Sequence, residues 1–276
     1  MTPDSFRFEG RRAVVVGGAT GMGAAAAVLI RDLGADVVVL DYAPIEIEGV
    51  ATGHVNLGDR ESIEAAVDEV GGPIDVLLSC AGVADGTPGI EKINFIGHRH
   101  FIERALAADL FPRGSAIGMI SSAAGLGWEM HLDEVKEYLD TDGFDAAVQW
   151  IADRPFKASY TWSKEAVCGY VAREAFPMLK RGIRINAILP GPTDTPLARA
   201  NADLWLSFGA DYRAEVGVEA STPEEQAAVL VFLCSDAARA CNGITMITDG
   251  GYMSSGVTGS FPAATPVADF LYGRLD

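Results

Sequence analysis

Tyr160 and Lys164 are the pair in this sequence that could most directly do chemistry. They stand four positions apart, so on a helix they lie on the same face, one turn from each other. A free tyrosine has a pKa of about 10, which is too high for a base near neutral pH. A lysine cation one turn away favours the phenolate and would make the pair suitable for acid–base catalysis. The alternative is an amphipathic helix with a tyrosine and a lysine at its solvated edge.

Polar residues at the ends of other elements could complete such a site. Ser121 and Ser122 follow an apolar run, and a serine hydroxyl there can hold a substrate oxygen and stabilise developing charge. An ordinary strand-end serine is the alternative. Asn94 could be a helix cap or a turn residue. His98 and His100 are two positions apart and face different directions on a helix, so no metal site is expected.

The elements that must position these residues alternate regularly between apolar runs and helical patterns. The runs are hydrophobic on both faces, which indicates a parallel sheet covered by helices on both sides. The predicted strands are 12–19, 36–42, 74–82, 115–125, 182–191 and 243–251. The predicted helices cover 21–35, 59–71 and about 91–110, 162–180 and 223–236. No linker, repeat or low-complexity tract interrupts this alternation, so we predict a single α/β domain.

A glycine-rich turn, GGATGMG at 17–23, lies where the first predicted strand passes into the first helix. Glycines let the backbone approach a pyrophosphate, and the helix N-terminus offers N–H donors and the positive end of its dipole. A tight turn without a ligand is the alternative. Asp41 ends the second strand, where a carboxylate can accept from both ribose hydroxyls and repel a 2′-phosphate. No Lys or Arg stands in the turn or directly after Asp41, so NAD is favoured over NADP.

Composition narrows the class of protein. The 276 residues carry a formal net charge of −17, which argues against nucleic acid or an anionic membrane as a partner. No apolar run is long enough to span a membrane, and the first residues predict no signal peptide. The four cysteines have no metal-like spacing and suit a reducing compartment, so a cytoplasmic enzyme is expected.

Taken in order, these residues resemble the short-chain dehydrogenase/reductase family over about residues 10–256. The motifs that carry the resemblance are the glycine turn, Asp41, CAG at 80–82, INFIG around Asn94, ISSAAG around Ser122, YTWSK at 160–164, NAILPGPTDTP at 186–196 and DGG at 249–251. The resemblance implies a Rossmann-like doubly wound parallel sheet of about seven strands in a single domain. It also implies that YTWSK contains the catalytic tyrosine and lysine.

The resemblance assigns each residue of the catalytic set a role. Tyr160 is the acid–base group, and Lys164 also binds the nicotinamide ribose. Ser122, rather than Ser121, holds the substrate oxygen. Asn94 bends its helix and links Lys164 through water to a proton relay. The residues expected to contact NAD are Gly17, Ala19, Thr20, Gly21, Met22, Gly23, Asp41, Tyr42, Asn56, Leu57, Cys80, Ala81, Gly82, Tyr160, Lys164, Pro190, Gly191, Thr193 and Thr195.

Two places depart from the family pattern. Val16 stands before the glycine turn, where a threonine is common, and Ser79 and Cys80 stand where two asparagines are common. The hydrogen bonds that those side chains make to nearby backbone must be made differently or not at all. This difference concerns the stability of the sheet more than the chemistry.

Three segments fall outside the regular alternation: a helical insert at about 128–157, a substrate lid at about 192–220 and an extended C-terminal tail at about 252–276. The insert resembles that of bacterial 3α-hydroxysteroid dehydrogenase/carbonyl reductases. Large apolar side chains in the insert and lid are expected to overhang the nicotinamide, namely Trp128, Met130, Leu197, Trp205, Leu206, Phe208 and Tyr212. They favour a bulky apolar ligand. Packing onto the domain or onto another subunit is the alternative.

The predicted function is NAD-dependent hydride transfer to or from a bulky apolar secondary or aryl alcohol or its ketone, for example a hydroxysteroid. Two other classes remain open. An NAD-dependent epimerase or dehydratase would use the same Tyr–Lys pair, and a non-catalytic NAD-binding regulator would need neither residue. A homodimer or homotetramer is expected, because family members pair through helices beside the sheet. The outer side of the Tyr160 helix, with Val171 and Phe176, is apolar enough to be buried in such a contact.

Overall fold

The computed structural model describes residues 3–274, in which seven parallel strands form one sheet. The strands are β1 Arg12–Val16, β2 Asp36–Asp41, β3 Ala51–His54, β4 Val76–Ser79, β5 Ala116–Ile120, β6 Arg184–Pro190 and β7 Thr245–Thr248. Their order across the sheet is β3-β2-β1-β4-β5-β6-β7. The strand order therefore reverses between β1 and β4, where doubly wound proteins bind their ligands. The predicted doubly wound parallel sheet is confirmed.

Helices cover both faces of the sheet. In chain order they are α1 Gly21–Asp32, α2 Arg60–Val70, α3 Gly97–Ala107, α4 Leu132–Leu139, α5 Gly143–Ala152, α6 Tyr160–Lys180, α7 Pro196–Arg199, α8 Ala202–Trp205, α9 Ala210–Val216, α10 Pro223–Cys234, α11 Tyr252–Thr258 and α12 Thr265–Leu271. Val15 of β1 packs on the side of α1 and α10, whereas Val14 and Val16 pack on the side of α2, α3 and α6. This alternation is expected for a strand that is buried on both faces. Between residues 3 and 274, no helix is both long and apolar enough to cross a membrane.

The edge strand β3 was not among the strands predicted from the sequence. It pairs with β2 alone, and none of its four residues is buried. An exposed edge strand needs no apolar run, so the hydrophobic pattern could not indicate it.

The insert lies across α6 in the structure. Trp150 of α5 stacks on Trp162 of α6, with ring centroids 5.6 Å apart and planes 10° apart. Glu165 of α6 is buried and pairs with His131 Nδ1 at 2.9 Å. Burial raises the pKa of the Glu165 carboxyl. Val135 of α4 packs so closely on Gly169 that a Cβ there would lie 2.3 Å from Val135 Cγ1.

This packing changes the expectation for subunit contacts. Val171 is fully buried in the core of its own subunit, so placing it on the outer side of α6 was wrong. Phe176, further along the same helix, is 73 % exposed and remains available to a partner. The homodimer or homotetramer therefore stays a prediction.

The tail expected to be extended is instead largely helical. The helices α11 and α12 pack on each other through small residues, and a Cβ at Gly256 would lie 2.7 Å from the carbonyl oxygen of Ala264. Met253, Ala264 and Ala268 are fully buried. The last two residues of the predicted tail, 275 and 276, lie outside the described residues.

Candidate active site

The glycine turn forms a tight cradle at the carboxyl end of β1. Gly17 has φ +86°, and a Cβ there would lie 2.2 Å from the backbone nitrogen of Ala81. A Cβ at Gly23 would lie 1.9 Å from the carbonyl oxygen of Gly17. Only glycine fits these two positions, and their packing brings the N-terminus of α1 close to the ends of β1 and β4. The N–H groups of that terminus are suited to bind a pyrophosphate.

Backbone groups replace the side chains that the family commonly uses here. The carbonyl oxygen of Val16 accepts hydrogen bonds from the amides of Cys80 at 2.8 Å and Ala81 at 3.0 Å. The amide of Gly17 donates to Leu40 at 2.8 Å. The turn after β1 is thereby held to both neighbouring strands without a threonine or an asparagine.

An open cavity of about 430 Å³ lies in front of this cradle. Its lining residues are Gly17, Thr20, Gly21, Met22, Gly23, Asp41, Tyr42, Ala43, Val55, Asn56, Leu57, Cys80, Ala81, Gly82, Val83, Ile93, Thr195, Pro196 and Leu197. The cavity thus begins at the glycine turn, follows the ends of β2 and β4 and reaches the first residues of the lid.

Most of the predicted cofactor contacts line this cavity. The predicted contacts that do not line it are Ala19, Tyr160, Lys164, Pro190, Gly191 and Thr193. The lining residues that were not among the predicted cofactor contacts are Ala43, Val55, Val83, Ile93, Pro196 and Leu197. Four of these six residues directly adjoin a predicted contact in the chain, which is a usable signal. Leu197 is two positions from Thr195, and Ile93 lies in the helical turn just before Asn94.

The carboxylate of Asp41 lines the cavity and also fixes the local backbone. Oδ2 accepts from the amide of Ala19 at 2.8 Å, and Oδ1 accepts from the amide of Ala43 at 2.9 Å. Asp41 therefore caps the backbone at the end of its strand. This role is compatible with a ribose contact. Each carboxylate oxygen has two acceptor positions, so both oxygens keep one for a ribose hydroxyl.

Tyr160 is the first residue of α6, and two side chains fix that helix start. The hydroxyl of Ser159 accepts from the amide of Trp162 at 3.2 Å, a cap that stabilises a helix by about 0.5–2 kcal/mol. Asp85, in the loop after β4, accepts from the amide of Tyr160 at 2.6 Å. Asp85 was not among the predicted site residues, because nothing in the sequence around it links it to α6.

Ser122 lies beside Tyr160, where its hydroxyl acts to lower the pKa of the phenol. The hydroxyl of Ser122 also accepts from the amide of Ala124 at 3.2 Å. Ser121 points the other way: it is buried and donates to the carbonyl oxygen of Lys164 at 2.8 Å. The geometry therefore separates the two serines, placing Ser122 beside the phenol and Ser121 within the core.

Burial dominates the acid–base properties of the pair. Burial raises the pKa of Tyr160; the hydrogen bond from Ser122 opposes this shift, and the Asp85 carboxylate adds to it. Lowering of this pKa by Lys164 together with the positive charge of a bound nicotinamide ring stays a prediction. Lys164 Nζ lies 5.4 Å from the centroid of the phenol ring and donates to the carbonyl oxygen of Ile120 at 3.1 Å. Burial lowers the pKa of Lys164 itself to about 8.

Asn94 lies in a π-helical turn, Lys92–Ile96, that precedes α3. Its Oδ1 accepts from the amide of Val83 at 2.8 Å, and its Nδ2 donates to the carbonyl of Val83 at 3.0 Å and to Ser163 Oγ at 3.2 Å. Asn94 thus ties the loop after β4 to α6. A Cβ at Gly82 would lie 3.6 Å from both Asn94 Oδ1 and Lys164 Nζ, so the two side chains flank this glycine. The relay through water stays a prediction.

His98 supports the floor of the cavity and was not predicted to do so. Its Nε2 contacts the carbonyl oxygen of Ala81 at 3.0 Å. Burial lowers the pKa of His98 to about 4, with a smaller contribution from Lys164, so the imidazole is neutral near pH 7. The signal in the sequence is its spacing of four from Asn94, which places both on one helical face. His100 faces elsewhere and contacts Glu64 at 3.1 Å.

The large apolar residues expected over the nicotinamide separate into several groups. Trp205 lies on Tyr160, with ring centroids 5.0 Å apart, and Leu197 lines the cavity. Phe208 and Tyr212 pack on the tail instead, and Trp128 packs on the main core. Met130 is 52 % exposed, and Leu206 is half-buried in the lid. The alternative of packing onto the domain therefore holds for Phe208, Tyr212 and Trp128.

A phenol, a hydroxyl and a lysine beside a cavity at the strand-order reversal are the arrangement of an oxidoreductase built on a doubly wound sheet. The family model described as "Enoyl-(Acyl carrier protein) reductase" matches residues 144–253. The chain is 31 % identical to cis-4-hydroxycyclohexanecarboxylate dehydrogenase of Sinomonas cyclohexanicum, over 89 % of this chain and 97 % of that protein. It belongs to the short-chain dehydrogenase/reductase family, as its motifs predicted.

Two further similarities bear on its place in the family. The chain is 29 % identical to coniferyl-alcohol dehydrogenase of a Pseudomonas species, over 89 % of this chain and 97 % of that protein. Among solved structures, it resembles the 3α-hydroxysteroid dehydrogenase of Pseudomonas sp. B-0831 in complex with NADH. The TM-score is 0.71 and the identity 26 %, over 90 % of this chain and 98 % of that one. The predicted similarity to hydroxysteroid dehydrogenases is confirmed, and the chain is an oxidoreductase of this family.

Proposed function

We propose that this protein transfers a hydride between NAD and a bulky, mainly apolar secondary or aryl alcohol, or the corresponding ketone. The observation that carries the proposal is the grouping around the Tyr160 phenol: Lys164 Nζ lies 5.4 Å from the ring centroid, Trp205 packs on the ring, and Ser122 stands beside it. Ser122 and Tyr160 are two polar groups that can converge on one substrate oxygen, and Trp205 adds an apolar surface next to them.

The residues of the cavity fit a nicotinamide dinucleotide. The glycine cradle leaves space for a pyrophosphate, and Asp41 stands at the end of β2 with acceptor positions for ribose hydroxyls. None of the lining residues in the described part of the chain is Lys or Arg, so no cation is present there to bind a 2′-phosphate. This supports NAD rather than NADP. When bound, NAD accepts or donates the hydride and, in its oxidised form, adds a positive charge.

The chain's own residues hold the substrate oxygen and move its proton. Ser122 can donate a hydrogen bond to the oxygen and stabilise charge that develops there. Tyr160 gives a proton to the oxygen when a ketone is reduced and takes one when an alcohol is oxidised. Because burial raises the pKa of Tyr160, the phenol holds its proton near pH 7 and is ready to act as an acid. Lys164, with a pKa of about 8, is largely charged at that pH.

The substrate class rests on Trp205 and on the relatives. An indole over the phenol favours apolar, ring-bearing substrates, because burying apolar area contributes about 25 cal/mol per Å². Three of the relatives are named for coniferyl alcohol, a hydroxycyclohexane carboxylate and 3α-hydroxysteroids, whereas a fourth is a D-threitol dehydrogenase. Each of the first three is an alcohol that carries at least one ring.

The test is a panel of steroid, aryl and short aliphatic alcohols assayed with NAD and with NADP. We expect the highest kcat/KM with NAD and a ring-bearing alcohol. Trp205→Ala should raise KM for that alcohol and leave NAD affinity unchanged. Equal or higher kcat/KM for short aliphatic alcohols would contradict the apolar pocket. NAD that stays bound through purification, with no turnover of any alcohol, would point to an epimerase or dehydratase instead.

A further inference from the structure

Four aromatic rings join the lid to the C-terminal tail, and we call them the aromatic clasp: Phe208 and Tyr212 from the lid, and Tyr252 and Phe261 from the tail. Three of their contacts are edge-to-face, with centroids 5.1 Å apart for Phe208–Tyr252, 5.5 Å for Tyr212–Tyr252 and 5.2 Å for Tyr212–Phe261. This is the geometry that aromatic pairs prefer. The hydroxyl of Tyr212 also donates to the carbonyl oxygen of Gly250 at 3.1 Å.

The clasp is anchored on its tail side and is the main support of the lid. Tyr252 is buried and begins α11, and Leu126, in the turn after the strand that ends near Ser122, packs against the same cluster. On the lid side, α8 has four residues, α9 has seven and neither has a buried residue. Helices this short do not hold their own position in water.

Arg213 of α9 connects the clasp to Trp205. Its guanidinium donates to the carbonyl oxygen of Phe208 at 2.7 Å and to that of Leu206. Leu206 follows Trp205 directly at the end of α8. The contacts therefore run from the tail through Tyr212 and Arg213 to the indole that packs on Tyr160.

We propose that Tyr212 is a positioning residue, which holds Trp205 over Tyr160 by clamping the lid to the tail. The tail then contributes to the selection of ring-bearing substrates without lying next to the reacting atoms. This inference rests on the proposed function, because it takes Tyr160 as the acid–base group. Its consequence for substrates is a change in KM rather than in kcat, since no group of the clasp touches the substrate oxygen or its proton.

The test compares Tyr212→Ala with Tyr212→Phe in the full-length protein. The first readout is acrylamide quenching of Trp205 fluorescence, taken as the difference between each variant with and without Trp205→Phe. The second is KM and kcat for the best ring-bearing alcohol of the panel. We expect Tyr212→Ala to increase the quenching of Trp205 and to raise KM by about tenfold, with kcat within about threefold and NADH affinity unchanged. Tyr212→Phe keeps the ring and should change KM by less than about threefold.

Phe270→Ala is the matched control, since Phe270 is a tail aromatic that is 66 % exposed and outside the clasp. Quenching of Trp205 and KM that stay at wild-type values in Tyr212→Ala would overturn the proposal. If Tyr212→Ala does not fold, Phe261→Leu removes one ring of the clasp from the tail side and must show the same changes in the same direction. A chain that oxidises no alcohol would contradict the proposed function, while the quenching measurement would still decide whether the clasp positions Trp205.

Discussion

The cofactor half and the substrate half of the site are built in different ways. Around the cofactor cavity, backbone packs directly on backbone, as at Gly17, where a Cβ would lie 2.2 Å from Ala81. Beside the phenol, the lid helices α8 and α9, of four and seven residues, are held by aromatic contacts and by Arg213. In the first half, Gly17 and Gly23 have no room for a side chain, whereas the second half is fixed by side chains that a single change can release.

This difference separates what each half can tolerate. Backbone contacts between parallel strands cannot change without moving the sheet, so the cofactor half is suited to one invariant ligand. The lid depends on few contacts and has little buried area, so it can be repositioned at low cost in free energy. Under the proposed function, substrate selection is then a property of the lid and tail, and hydride chemistry a property of the sheet edge.

The largest expected effect lies at the boundary of the two halves. Tyr160→Phe removes only the hydroxyl, so turnover should fall by a factor of about 10²–10⁴ while NADH binding persists. Tyr272→Phe, a tyrosine on the tail outside the catalytic set, should leave turnover unchanged. Steady-state kinetics and NADH fluorescence titration measure both. If turnover of Tyr160→Phe stays within tenfold of wild type, Tyr160 is not the acid–base group.

The next effect tests the rigidity of the cofactor half. Gly17→Ala should lower the free energy of unfolding and weaken NADH binding by more than tenfold, because its Cβ would displace Ala81. Gly10 has a similar φ of +74° and nothing within 4 Å of an added Cβ, so Gly10→Ala carries only the left-handed backbone cost of about 1–2 kcal/mol. Crowding at Gly17 should lower the free energy of unfolding of Gly17→Ala by about 1–3 kcal/mol more than this, as measured by urea unfolding. Equal losses in the two variants would mean that close packing at the turn is not the cause.

The smallest of the three effects concerns cofactor choice. Asp41→Asn keeps the shape and an acceptor for a backbone amide but removes the charge that repels a 2′-phosphate. The ratio of kcat/KM with NAD to that with NADP should fall by about tenfold, which corresponds to about 1.4 kcal/mol. Asp59→Asn is the control, because Asp59 caps α2 and does not line the cavity. An unchanged ratio in Asp41→Asn would show that the charge of Asp41 does not cause a preference for NAD.

The elements of the cofactor half were largely predictable from the sequence. Apolar runs ending in glycine or a small residue gave six of the strands, and the ends of parallel strands must meet at one edge of the sheet. That rule predicts from the sequence alone that the glycine turn, Asp41 and the residues after β4 lie close together. The edge strand β3 was not predicted, because a strand exposed at an edge carries no hydrophobic pattern.

The substrate half was predictable in composition but not in arrangement. The apolarity of Phe208 and Tyr212 predicts that they pack against other residues, but their partners on the tail are distant in the chain. The glycines and prolines of the tail are unfavourable for helices. The close packing of Gly256 on Ala264 nevertheless stabilises the two helices α11 and α12. A spacing of four predicts that Tyr160 and Lys164 share a helical face. It gives neither the distance from the phenol to the ammonium nor the burial that raises the pKa of Tyr160.

The neighbouring positions of β1 and β4 determine when a newly made chain can bind its cofactor. Arg12 and Asp75, which lie at the start of this pairing, are 63 positions apart in the chain. Ribosomes add residues from the N-terminus, so the floor of the cavity closes only after β4 has emerged. The far wall, from Thr195 to Leu197, is synthesised later still, after the catalytic helix. A nascent or truncated chain that stops before residue 195 therefore lacks a complete cofactor site, even though it already carries Ser122, Tyr160 and Lys164.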